Sequence, residues 1–186
     1  MATHHADLPM RLPARIALFA ALAAALGFLF SPIPNIELMT FTLFAAGYAL
    51  GFAGGAAASL LAVLLYFGMN PYGSSFIFPP LLLAQLFAAV FIASLGSTFA
   101  RLIPPSKLRA KPGRIFLFPF AAMAALALPI FPSFAFAWTG GGSWEGWLML
   151  GILMTSWGFV FNIVVFTAAF PPLVRQMERI DARSGR

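Results

Sequence analysis

Very few side chains in this sequence could do chemistry, and nearly all of those that could lie near the ends of long apolar segments. The 186-residue chain has no cysteine, and its two histidines, His4 and His5, lie side by side near the start. A disulfide, a cysteine metal site and a histidine centre inside an apolar segment are therefore excluded. No pair of carboxylates falls within an apolar stretch, so we do not expect an enzyme.

The polar candidates that remain suit ligand binding better than catalysis. Glu37 and Glu145 are the only carboxylates outside the two terminal tails, and Gln85 lies inside an apolar run. An acid near a membrane boundary needs a partner or water, and an amide in hydrocarbon normally faces the interior of a helix bundle. Glu37 is either a ligand contact or only a favourable charge in the first turn of a helix capped by Asn35. Tyr72 is either a lid aromatic or part of an interfacial aromatic belt.

The elements that position these residues follow from the distribution of positive charge. All Lys and Arg residues fall in three clusters, and no cation lies between Arg15 and Arg101 or between Arg114 and Arg175. The chain is 61% hydrophobic and only 9% charged, whereas a soluble domain is about 25% charged. Because a charge in hydrocarbon costs about 2.5–3.5 kcal/mol on insertion scales, this pattern predicts an all-α, polytopic membrane protein.

Turn signals divide the cation-free stretches into six predicted transmembrane helices. Pro, Gly and Asn concentrate at 31–35, 51–55, 70–73 and 139–143, and these residue types break helices. The predicted spans are residues 14–30, 36–50, 54–69, 76–100, 114–138 and 144–170, with tails at 1–13 and 171–186. The first span is interpreted as a true membrane span rather than a signal peptide, because apolar character resumes directly after it.

The number of spans between basic clusters fixes the predicted topology. Four spans separate the first cluster from the second, and two separate the second from the third, so all three clusters are expected on one side. The positive-inside rule then places both termini and the 101–114 loop in the cytoplasm. We therefore predict a single integral membrane domain, 1–186.

The first span carries a regular series of alanines. Ala17, Ala21 and Ala25 are spaced by four residues, so they share one face of a helix. Such a smooth face lets another helix approach closely. The partner is either another helix of the same chain or a second protein, and the sequence alone does not decide between them.

These features resemble the substrate-binding S components of energy-coupling factor (ECF) transporters. The resemblance lies in the six spans, the alanine-rich first helix and the Pro34-Asn35-Ile36-Glu37 turn, with further similarity in residues 65–73 and 78–85. It implies a place in the cytoplasmic (inner) membrane of a prokaryote and capture of a vitamin or related micronutrient from the outer face. It also implies docking through Ala17, Ala21 and Ala25 on a transmembrane coupling T component that carries two cytoplasmic ATPases.

The same resemblance implies where the ligand is held. S components bind their substrate between the outer halves of the helices and outer loops that act as lids. No cofactor is expected on this chain, because it has no nucleotide-binding motif and the partner subunits use the ATP. The polar and aromatic residues in the corresponding region are Asn35, Glu37, Asn70, Tyr72, Gln85, Trp138, Trp144 and Glu145.

Two other functions remain open from the sequence. One is an MreD-like structural membrane scaffold, which needs no transported ligand and would associate with proteins of cell-shape maintenance. The other is a solitary transporter that works without ATPases. A tightly bound vitamin would exclude the scaffold, and uptake in cells lacking the coupling protein would identify the solitary transporter.

Overall fold

The regular structure of the chain is helical throughout the residues that can be described. The computed structural model describes residues 12–33, 36, 38–108, 111–140 and 142–184. In chain order its elements are α1 (Leu12–Phe30), α2 (Met39–Gly68), a 3-10 turn (Ser75–Ile77), α3 (Pro79–Leu102), α4 (Pro105–Leu108), α5 (Lys111–Gly140) and α6 (Trp144–Ser184). Five of these helices, all but α4, are long and apolar enough to cross a membrane, which agrees with a multi-pass helical membrane protein.

Helix α2 is not straight, because the chain reverses within it. Gly51 has a φ of 73° and a ψ of −177°, a conformation that glycine adopts readily because it has no Cβ atom. A Cβ atom on Gly55 would lie 2.5 Å from the Cα atom of Gly47, whereas residues eight apart in a straight helix are separated by about 12 Å. α2 therefore consists of two antiparallel arms, residues 39–50 and 52–68, joined where the glycine run 51–55 predicted a turn.

Helix packing follows the chain order around these two arms. α2 packs mainly against α1 and α3, and α5 packs mainly against α3 and α6. Phe41 contacts Phe166 and Tyr48 contacts Phe170, with ring centroids 5.3 and 5.1 Å apart, so the 39–50 arm runs parallel to α6. This arm forms the centre of the bundle, between α1 on one side and α6 on the other.

The described basic residues lie at one end of this bundle. Arg15 lines the same groove as Met177, two residues from Arg175 and Arg179. The ring of Phe99, two residues before Arg101, lies 5.8 Å from the ring of Phe170. Arg15, Arg101, Arg175 and Arg179 therefore lie at the same end of the bundle, whereas the side of the membrane that they face stays a prediction. We call this end of the bundle the basic end, and we call the end formed by the start of α3, the end of α5 and the start of α6 the opposite end.

Two helices extend furthest beyond the predicted spans. α5 begins at Lys111 and ends at Gly140, two residues beyond the predicted 138. α6 continues through Pro171 and Pro172 to Ser184, so most of the predicted tail at 171–186 is a continuation of the sixth helix. Within α6, residues 156–180 are long and apolar enough to cross a membrane.

Candidate functional site

Helix α1 presents three different faces, each about a third of its circumference. At about 100° per residue, one face carries small residues that are buried, a second carries large apolar residues and Arg15, and the third carries the alanine series. The buried face packs on the 52–68 arm, where a Cβ atom on Gly27 would lie 2.8 Å from the ring of Tyr66. The residues of the buried face are Ala20, Ala23, Ala24 and Gly27.

The predicted docking residues Ala17, Ala21 and Ala25 are all exposed. They therefore do not pack against another described helix of the chain. Packing within the chain, one of the two roles that the sequence allowed, is instead made by the neighbouring face with Ala20 and Ala24. A strip of methyl groups on the exterior of a membrane helix allows close backbone approach by a second helix. The alanine face is thus free for contact with lipid or with a partner.

Asn70 and Tyr72 form a turn at the opposite end. The Oδ1 atom of Asn70 accepts a hydrogen bond of 2.9 Å from the backbone N–H of Tyr72, which is the side-chain turn that Asn commonly makes. Tyr72 itself is 72% exposed. Asn70 therefore shapes the loop between α2 and α3, while the Tyr72 ring projects from it.

Three further predicted site residues lie at the exposed ends of α5 and α6. Trp138 is 91% exposed and Trp144 is 52% exposed, and Glu145 is also exposed in the first turn of α6. Trp138 lines a shallow apolar hollow of about 400 Å³ with Phe87 and Phe134 on the outside of α3 and α5. These residues are positioned on the surface of the opposite end and do not enclose a common polar cavity.

An aromatic stack joins three helices at the opposite end and was not anticipated as a unit. The ring of Phe136 stacks on Phe78 at 5.7 Å and on Trp147 at 5.2 Å, with interplanar angles of 26° and 21°. Trp147 also lies against the loop before α6, where a Cβ atom on Gly142 would be 2.7 Å from its Nε1 atom. The stack fixes the residue before α3, the last part of α5 and the first turn of α6 to each other at the opposite end.

Gln85 is the predicted site residue that the fold places in the interior. It lies about 9 Å along α3 from Pro79, its side chain is 6% exposed, and its Oε1 atom has no hydrogen-bond partner among the described residues. Ser59 Oγ and Asn162 Oδ1 share this condition, although Asn162 donates from Nδ2 to the Gly158 carbonyl at 3.0 Å. A buried acceptor without a donor is costly, and Gln85 is the one predicted site residue among those described that is in this condition.

Replacing Gln85 by leucine distinguishes a ligand contact from a packing residue. We expect Gln85→Leu to leave the free energy of unfolding unchanged or to raise it by up to about 1 kcal/mol. The reason is that leucine is similar in size to glutamine and removes the unpaired buried oxygen. Bound ligand should be lost. The measurement is thermal unfolding in detergent together with mass spectrometry of small molecules that co-purify, with Asn70→Ala as a variant confined to the loop. A strongly destabilised Gln85→Leu protein would mean that the amide is already satisfied within the fold.

Asn35 and Glu37 lie outside the described residues, so their predicted capping and ligand roles have no structural account. No group of three or more His, Asp or Glu side chains within the described ranges is arranged to hold a metal ion. The chain matches no family model, no curated protein and no solved structure.

Proposed function

We propose that the chain is the substrate-capturing membrane subunit of a transporter of the ECF S-component type. In this proposal six spans cross a prokaryotic cytoplasmic membrane with both termini inside, and the two arms of α2 are the second and third spans. The opposite end faces outward and takes up a vitamin or related micronutrient. The basic end faces the cytoplasm, where a coupling T component brings two ATPases that consume ATP.

The observation that carries this proposal is the exposure of Ala17, Ala21 and Ala25. A helix that only packs within its own chain has no need of a second, outward strip of small residues. Here the buried face and the alanine strip are distinct, and no charged residue interrupts the strip. Such a surface suits a subunit that docks on, and moves against, a transmembrane partner.

The assembly test uses one bulky substitution on the strip and a matched one elsewhere. We expect Ala21→Trp to prevent assembly with an ECF coupling protein and its ATPases, because an indole ring keeps the two backbones apart. Ala168→Trp, at an exposed alanine of α6, should assemble normally. Co-purification of co-expressed subunits measures the effect. Equal assembly of both variants would contradict docking through this face.

The dispersed surface positions of Tyr72, Trp138, Trp144 and Glu145 favour a second candidate, the MreD-like scaffold, which needs no ligand cavity. Mass spectrometry of small molecules released from natively purified protein separates the two. A stoichiometric vitamin-like compound supports the transporter. A protein without such a compound that co-purifies with wall-synthesis proteins supports the scaffold.

A further inference from the structure

An apolar groove of about 410 Å³ runs along the outside of the bundle between α1 and α6. Its floor is the 39–50 arm, through Phe41, Ala45 and Ala49. α1 packs mainly on α2, whereas α6 packs mainly on α5. The two helices that form the walls of the groove, α1 and α6, therefore diverge above the 39–50 arm. The groove is therefore open sideways, towards the space that the membrane occupies around a multi-pass protein.

A single cation marks one end of the groove. Arg15 lies there with Met177 and Ile180, at the basic end. It is half-buried, and its guanidinium makes no hydrogen bond or ion pair with any side chain in the described part of the chain. The other polar side chain of the lining, Thr42, is satisfied by donating from Oγ1 to the Leu38 carbonyl at 2.8 Å. Arg15 is thus the group available to an incoming anion.

The length of the groove matches one leaflet of a bilayer. From Arg15 to Leu26 its α1 wall spans eleven residues, or about 16 Å at 1.5 Å per residue. The hydrocarbon core of a bilayer is about 30 Å thick, so the chains of one leaflet extend about 15 Å. An acyl chain placed in the groove therefore brings its headgroup to the level of Arg15.

We infer that this groove binds one anionic glycerophospholipid from the leaflet at the basic end. The acyl chain lies on Phe41, Ala45 and Ala49 between the α1 and α6 walls, and the phosphate contacts the Arg15 guanidinium. Basic pockets between transmembrane helices at a membrane surface are suited to anionic headgroups. This lipid site is separate from the alanine strip, which lies on another face of α1.

The test compares two lipids on the full-length protein. Protein purified in detergent and stripped of lipid is titrated with phosphatidylglycerol or phosphatidylcholine carrying identical acyl chains, and native mass spectrometry counts the bound molecules. We expect one phosphatidylglycerol per chain to be retained in preference to phosphatidylcholine. Arg15→Gln should weaken phosphatidylglycerol binding about fivefold and phosphatidylcholine binding by less, because the choline ammonium offsets the phosphate charge. Arg101→Gln, at an exposed cation outside the groove, should have no effect.

A second pair of variants tests the apolar part of the site. Ala169→Leu fills the groove from α6 and should weaken binding of both lipids, whereas Ala168→Leu, at the adjacent exposed alanine, should not. Three results would overturn the inference: equal retention of the two lipids, equal effects of Arg15→Gln and Arg101→Gln, or a dimer of the chain that excludes lipid. Because Arg15 lies at the margin of the bundle, Arg15→Gln decides the question even if Ala169→Leu fails to fold.

Discussion

Replacing Gly96 by leucine should abolish the folded protein. A Cβ atom at this position would overlap the backbone carbonyl oxygen of Phe44 and lie 3.0 Å from the backbone nitrogen of Tyr48. These are main-chain atoms, which cannot rotate away as a flexible side chain can. The expected destabilisation exceeds about 4 kcal/mol, in the range reached only by severe overpacking or comparable damage.

The reason is that α3 and the 39–50 arm touch backbone to backbone. A Cβ atom on Gly47 would in turn overlap the carbonyl oxygen of Ala93. Glycines on both helices therefore allow α3 and the 39–50 arm to cross at this short distance. In a membrane, where lipid is as apolar as the side chains, such close packing replaces the hydrophobic effect as the force that holds helices together. Separating the helices by one methyl group therefore removes contacts along the whole crossing.

The yield of monodisperse protein from size-exclusion chromatography and the thermal unfolding midpoint in detergent measure this effect. Gly96→Ala should already be strongly destabilised. Gly140→Ala is the matched control, because its Cβ atom would meet only the ring of Trp147 at an ordinary distance of 3.4 Å. A Gly96→Ala protein that unfolds at the wild-type temperature would show that the two helices can separate without cost.

The class of fold and the two ends of the bundle were predictable because they depend on charge. The cost of placing Arg or Lys in hydrocarbon is a property of the side chain and hardly depends on its neighbours. The positions of Arg15, Arg101 and Arg175 along the chain therefore sufficed to predict membrane helices and one shared basic end. The turn at Gly51 was predictable for a similar reason, since it depends on local backbone freedom.

The ends of the helices were less predictable. The sixth span was predicted to end at residue 170, yet α6 continues through Pro171 and Pro172 to Ser184. Membrane helices tolerate proline because the freed backbone groups find other partners. The length of an apolar span therefore does not give the length of the helix that contains it.

The candidate site illustrates what sequence spacing cannot supply. Spacing placed Ala17 and Ala21 on one face, but whether that face is buried depends on where Tyr66 and the 52–68 arm pack. The stack of Phe78, Phe136 and Trp147 joins residues from three helices, and none of its contacts is local in sequence. Such features are set by tertiary packing, so only the folded arrangement identifies them.

Phe170 holds the centre of the bundle, and its replacement by alanine should have the second largest effect. Its ring is fully buried. The ring centroid lies 5.1–6.5 Å from the centroids of five other rings, which come from α2, α3 and α6. Those rings are Phe41, Phe44, Tyr48, Phe99 and Phe166. No other described aromatic ring contacts as many rings, and through these contacts Phe170 links α2, α3 and α6.

We expect Phe170→Ala to lower the free energy of unfolding by about 2–4 kcal/mol. Deleting a core phenylalanine in a soluble protein costs about 3–5 kcal/mol, but in lipid or detergent the transfer part of that cost is small. The cavity and the lost ring contacts remain. Phe87→Ala, at a ring 65% exposed, should change stability by no more than about 0.5 kcal/mol.

A double-mutant cycle between Phe44 and Phe170 tests whether the rings act together. Their centroids are 5.2 Å apart at an interplanar angle of 75°, an edge-to-face geometry worth about 0.5–1.5 kcal/mol beyond simple burial. In the Phe170→Ala protein, Phe44 has already lost one of its ring partners. Phe44→Ala should therefore lower the free energy of unfolding less in that protein than in the wild-type protein. We therefore expect a coupling energy of at least about 0.5 kcal/mol, measured by reversible unfolding in mixed detergent. Strict additivity would mean that each ring is held by its own helix, and that the bundle centre is not one cooperative cluster.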